Sequence, residues 1–119
     1  GMIVQEVAHK IPQRVRKLVL YATGAKGVLP GRFETIAESK SRAQSDGAKA
    51  TARRISATWF LQGEAAPAYA SCADIAERAG LPAILAGLDA MEAWSGEAGL
   101  ATVTPQTLIM WGDCDRTYA

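Results

Sequence analysis

The residue types that could do chemistry gather near the carboxyl-terminal end, in Gly112-Asp113-Cys114-Asp115-Arg116. Two carboxylates two positions apart can move a proton or hold a histidine in one tautomer. What precedes them decides whether they are placed to do so. Thr107 to Trp111 reads as a short strand, apolar on both faces, set off by Pro105. Strands of that kind are the ones parallel sheets bury between helices. In open α/β sheets the reacting groups collect just past the carboxyl ends of the strands. Asp113 and Asp115 are therefore candidate site residues, and as plain residues both also read as solvated loop carboxylates. Arg116 beside them reads as a local ion-pair partner, worth little if exposed.

Elsewhere the inventory is thin. His9 is the single histidine, and it reads as a surface residue beside Lys10 on the first helix. Ser39, Ser41, Ser45, Ser56, Ser71 and Ser95 all fall in or beside helices, none of them in a G-x-S-x-G turn. Gly24 and Gly27 form no G-x-G-x-x-G phosphate cradle. Lys49, Arg53 and Arg54 read as a solvated basic helix face. Cys72 and Cys114 are too few and too far apart for a zinc site or a disulfide framework, so we expect two reduced thiols and a cytoplasmic protein. No metal or organic cofactor is implied.

The totals set limits on partners. Thirteen basic and twelve acidic side chains leave a net charge of +1, which argues against nucleic acid or an anionic membrane as the main partner. With 49% apolar and 21% charged residues a packed core is expected. No apolar run approaches the roughly 20 residues a spanning helix needs.

The elements that must position the acidic loop follow from periodicity and punctuation. Val4, Val7, Ala8 and Ile11 mark one stripe of a helix from Met2 to Lys10, ended by Pro12. That helix has no Ser, Thr, Asp or Asn at its start and reads as beginning within a longer chain; Gly1 reads as a tag remnant. Leu18 to Ala22 suits a second strand buried on both faces, released by Thr23-Gly24. Four helices then follow. The first carries Phe33, Ile36, Ala37 and Ala43 and ends near Asp46-Gly47. The second spans Ala48 to Leu61, with Ala52, Ile55, Trp59 and Phe60 inward. The third runs from Pro67 to Ala79, with Tyr69, Cys72, Ile75 and Ala76 on one face. The fourth shows Leu81, Ile84, Leu85, Leu88 and Met91. The predicted class is α/β and helix-rich: two parallel strands with a four-helix insertion between them.

Three stretches resemble one family. Gly1-Met2-Ile3-Val4-Gln5-Glu6-Val7-Ala8 is similar to the helix that follows the nucleophile elbow of α/β-hydrolases of the esterase, lactonase and carbon–carbon hydrolase type. Ile11-Pro12-Gln13-Arg14-Val15-Arg16-Lys17-Leu18-Val19-Leu20 resembles their passage from that helix into the next strand. Leu108-Ile109-Met110-Trp111-Gly112-Asp113-Cys114-Asp115-Arg116 resembles the strand that delivers the acid of the triad.

The resemblance implies a partial hydrolase core at 1–28 and 101–119 and a helical cap at 29–100. By the family pattern Asp115, third after Gly112, is the triad acid. The nucleophilic serine would lie a few residues before Gly1 and the histidine after Ala119, in the family's order of serine, acid, histidine. The expected reaction class is serine-dependent hydrolysis of an ester, lactone or related bond, which this stretch alone would not perform. Trp59, Phe60, Tyr69, Met91 and Trp94 read as core contacts or as the lining of a cap that takes a small ligand. A non-catalytic helical module is the alternative, and bare strands would favour a homo-oligomer.

Overall fold

The structure is a computed structural model in which residues 1–115 are described. It is helix-rich with a two-stranded parallel sheet. In chain order the elements are α1 (Met2–Lys10), β1 (Lys17–Tyr21), α2 (Ile36–Ala57), α3 (Tyr69–Ala76), α4 (Leu81–Ala93) and β2 (Gln106–Met110), with short 3-10 turns at Pro12–Arg14, Gly63–Ala65 and Glu97–Thr102. The chain forms two compact units: Gly1–Phe33 with the segment from Met91 onward, and Glu34–Ala90.

In the first unit Lys17 pairs with Gln106 and Tyr21 with Met110, so both strands point the same way and end together. α1 packs on β1. Its buried positions are Gln5 and Ala8, whereas Val4, Val7 and Ile11 stay exposed. The apolar stripe is thus displaced by the polar Gln5, whose amide donates to the Gly24 carbonyl at 2.9 Å. Gly1, read from sequence as a tag remnant, lies against the Thr23 side chain, and its carbonyl accepts from the Gln5 amide.

Both strands were expected to be covered on both faces, and here they are not. β1 buries only Leu18 fully, and every residue of β2 is exposed. The physical reason is the layer count: among the described residues α1 is the helix packed on β1, and no helix packs on β2.

After β1 the chain returns across the unit. Gly27 donates to Trp94 O at 3.1 Å and Gly96 to Ala25 O at 2.8 Å, with an antiparallel bridge between Lys26 and Ser95. Lys26 and Glu97 add an ion pair at 3.0 Å. The contact is so close that a Cβ on Gly27 would overlap the Met91 carbonyl.

In the second unit α2 breaks at Gly47, whose φ of 81° is the left-handed region where glycine carries no Cβ penalty. A straight helix would separate Glu34 from Arg54 by about 30 Å at 1.5 Å per residue. Their side chains instead meet at 3.4 Å, so the arms 36–46 and 48–57 fold back on each other. Small buried residues, Ser39, Ala43, Ala52 and Ser56, permit that approach. Thr35 caps the first arm in a capping box with Glu38. α3 packs on α2 through Tyr69 and Ala73, while Ile75 is 64% exposed and so lies off the expected face. Trp59 and Phe33 likewise fall outside the helices that were expected to bury them, because α2 spans Ile36–Ala57 only. The fourth stripe is real but half-buried, and no residue of α4 is fully buried.

Candidate functional site

The carboxyl ends of β1 and β2 form one edge, and the acidic loop sits there. Gly112 to Asp115 make a turn closed by the Asp115 amide on the Gly112 carbonyl at 3.1 Å. Asp113 and Cys114 are exposed and Asp115 is half-buried. Arg116, expected to pair locally, lies outside the described residues.

Beside this loop the chain leaves β1 under strain. Ala22 has φ of 45°, a left-handed conformation that costs an alanine about 1–2 kcal/mol. It is held there by its amide on Met110 O at 2.9 Å. The turn that follows brings Thr23 against Gly1, which places the amino end of α1 at the same edge. Gln5, Thr23 and Gly24 tie the two together, with Thr23 Oγ1 3.5 Å from the Gln5 amide nitrogen. Only glutamine's unexpected burial could have signalled this contact, and a single residue carries no periodicity.

His9 belongs to the other edge. Its Nδ1 lies 3.1 Å from Thr102 Oγ1, and that hydroxyl donates to Gly99 O at 2.8 Å. With its only proton spent, the Thr102 oxygen accepts from His9, which assigns the proton to Nδ1. Gly1 and His9 are the two ends of a helix about 12 Å long. His9 therefore lies toward the amino ends of the strands, away from Asp115, and its role is to fasten α1 to the 97–102 turn.

Trp94 does similar fastening. Its indole donates to Glu6 Oε1 at 2.9 Å, and Lys10 pairs with the same carboxylate at 3.1 Å. The Trp94 bond first, and Lys10 second, hold the Glu6 carboxyl below its ordinary value of 4.5. A depressed folded value means that this contact stabilises fully above pH 4.5 and is lost as pH falls through the lower folded value. With Trp59 and Trp111 replaced by Phe, acid titration of Trp94 fluorescence should therefore show a step centred below 4.5. Glu6→Gln should abolish that step, and a midpoint above 4.5 would contradict the assignment.

The residues considered for a ligand cleft divide between the units. Trp94 and Met91 belong to the first and Trp59, Phe60 and Tyr69 to the second. Trp59 is 62% exposed, and the Tyr69 hydroxyl lies 3.5 Å from the Arg53 carbonyl oxygen. The basic helix face proves to be paired: Lys49 and Arg53 reach Glu77, and Arg53 reaches Asp74, between α2 and α3. Among the described residues no three of His, Cys, Asp and Glu cluster as metal ligands, and no helix is long and apolar enough to cross a membrane.

What this edge presents chemically is a half-buried carboxyl, Asp115, beside an exposed one, Asp113. The described residues bring neither a nucleophile with an adjacent base nor a histidine to Asp115. No family model, curated protein or solved structure matches the chain.

Proposed function

We propose that this chain carries the acid-bearing part of a serine hydrolase of the α/β-hydrolase type, with Asp115 as the acid. One observation carries the reading. The parallel strands end together, and both the Asp115 turn and the amino end of α1 lie at that common edge. A nucleophile placed just before α1 would stand at the same edge as the acid, as the triad requires. In that reading residues 29–100 act as the cap. Asp115 would hold a histidine's tautomer and stabilise the imidazolium that forms on attack.

Among the described residues no histidine reaches Asp115, and the expected result for this stretch is an absence of enzymatic turnover. p-Nitrophenyl acetate should be cleaved at the same rate by the 119-residue chain and by Asp115→Asn. Saturable turnover that Asp115→Asn removes would refute the reading.

A second reading has its own support. Val19, Tyr21, Leu108, Ile109, Met110 and Trp111 are each between 45% and 68% exposed, which favours a non-catalytic module that self-associates.

A further inference from the structure

The two faces of the sheet are not alike. Leu18 is the buried residue of β1 where α1 packs, strand alternation puts Leu20 on the same face, and the opposite face carries the residues between them. By the register, Lys17 lies beside Gln106, Val19 beside Leu108 and Tyr21 beside Met110 on that face. Val19, Tyr21, Leu108 and Met110 are all exposed there, a contiguous apolar surface with a polar pair at its amino end.

The charges at the two ends of this face are opposite. Arg14, Arg16 and Lys17 are exposed at the amino end and line a shallow open depression there. None of the three has an ion pair among the described residues. Asp113 and Asp115 stand at the carboxyl end, and Asp113 is exposed and has no ion pair among the described residues. A surface that is basic at one end, acidic at the other and apolar between is complementary to itself when turned end for end.

We propose that the Val19–Tyr21–Leu108–Met110 face docks on the same face of a second copy, with the strands of the two copies antiparallel. The two-fold axis lies between the stacked faces, across the strand direction. Each copy then sets its Lys17 end against the Asp113 loop of the other, and symmetry makes every such pair twice. The apolar centre supplies the attraction, and the charged rims select the antiparallel setting over the parallel one. This inference rests on the self-associating reading for the fact of association and adds the surface and its orientation.

Sedimentation velocity on the 119-residue chain, from about 1 to about 100 μM, tests it. The expected species is a dimer that weakens in high salt. Leu108→Glu should leave a monomer with an unchanged circular dichroism spectrum, because Leu108 is exposed within its own chain. Lys17→Glu should raise the dimer Kd roughly tenfold, since each rim pair is lost twice. Lys17→Glu with Asp113→Lys should bring Kd back to within about threefold of the parent. The strand length alone, four steps of about 3.3 Å, sets these two positions about 13 Å or more apart within one chain, beyond the screening length, so rescue has to act between copies. A monomer at every concentration overturns association itself. A dimer that survives Leu108→Glu, or a charge swap that fails to rescue, overturns this surface and orientation while leaving association standing. Open-ended assembly overturns the two-fold arrangement.

Discussion

Gly27→Ala is expected to destabilise the chain by about 2–4 kcal/mol, more than a buried methyl costs elsewhere. The added Cβ would occupy the space of the Met91 carbonyl oxygen. That oxygen belongs to backbone in the last turn of α4 and cannot turn aside as a side chain would. Relief requires separating 25–27 from 94–97. The separation would cost the Gly27 bond to Trp94 O, the Gly96 bond to Ala25 O and the Lys26–Glu97 pair. Urea unfolding followed through Trp94, with Trp59 and Trp111 changed to Phe, should show the lowered midpoint. Gly31→Ala is no neutral comparison, because its φ is 82°. Gly87→Ala is the suitable control: it lies in α4 with open space around it and should gain up to about 1 kcal/mol of helix propensity. Equal midpoints for Gly27→Ala and the parent would show that the close approach is absent.

The second large effect is expected at Glu34. Its side chain is 8% exposed and accepts from Ser39 Oγ at 2.7 Å, Arg42 Nη1 at 3.2 Å and Arg54 Nη1 at 3.4 Å. Burial alone would raise its carboxyl, but Ser39 and the Arg54 and Arg42 guanidinium groups outweigh it and hold the group below its ordinary value. The carboxylate joins the two arms of α2 across Gly47. Glu34→Ala would leave Arg54, only 24% exposed, without its counter-charge, at a cost of about 2–4 kcal/mol. Because the folded value is depressed, the contribution is present above pH 4.5 and declines as pH falls through the folded value. A double-mutant cycle with Arg54→Ala by chemical denaturation measures the coupling. An additive cycle would mean that the ion pair does not hold the arms together.

These two residues also show what the sequence could and could not reveal. Short-range signals were readable. Pro12 ended α1, Asp46-Gly47 broke α2, and the apolar runs marked both strands to within one residue. Those features are local, and glycine, proline and periodicity report local geometry. The Glu34–Arg54 contact joins residues twenty apart through a reversal, and no period connects them. Gly27 looked like one loop glycine among several, because its constraint comes from Met91, far along the chain. Burial was the least legible property. Ile75, Trp59 and Val19 are apolar and were placed inside, but what covers a residue depends on which elements pack, and few do here.

For the candidate site, the position of the acidic turn at the end of β2 was legible from the strand-then-glycine pattern. Its setting was not. The strained Ala22 depends on the pairing of β1 with β2, and the Gln5 amide on Gly24 O and the approach of Gly1 to Thr23 depend on how α1 packs against β1. The assignment of Asp115 over Asp113 still rests on the family resemblance, together with Asp115 being the more enclosed of the two.

The central claim is that Asp115 is the acid of a serine-hydrolase triad, and the genomic reading frame on either side of this chain tests it most directly. The expected result is a G-x-S-x-G turn ending within a few residues of Gly1 and a histidine beyond Ala119, and in the protein encoded by that frame Asp115→Asn should lower kcat by about 10⁴. A frame without that serine or histidine, or an encoded enzyme whose activity depends on Asp113 and not on Asp115, would contradict it.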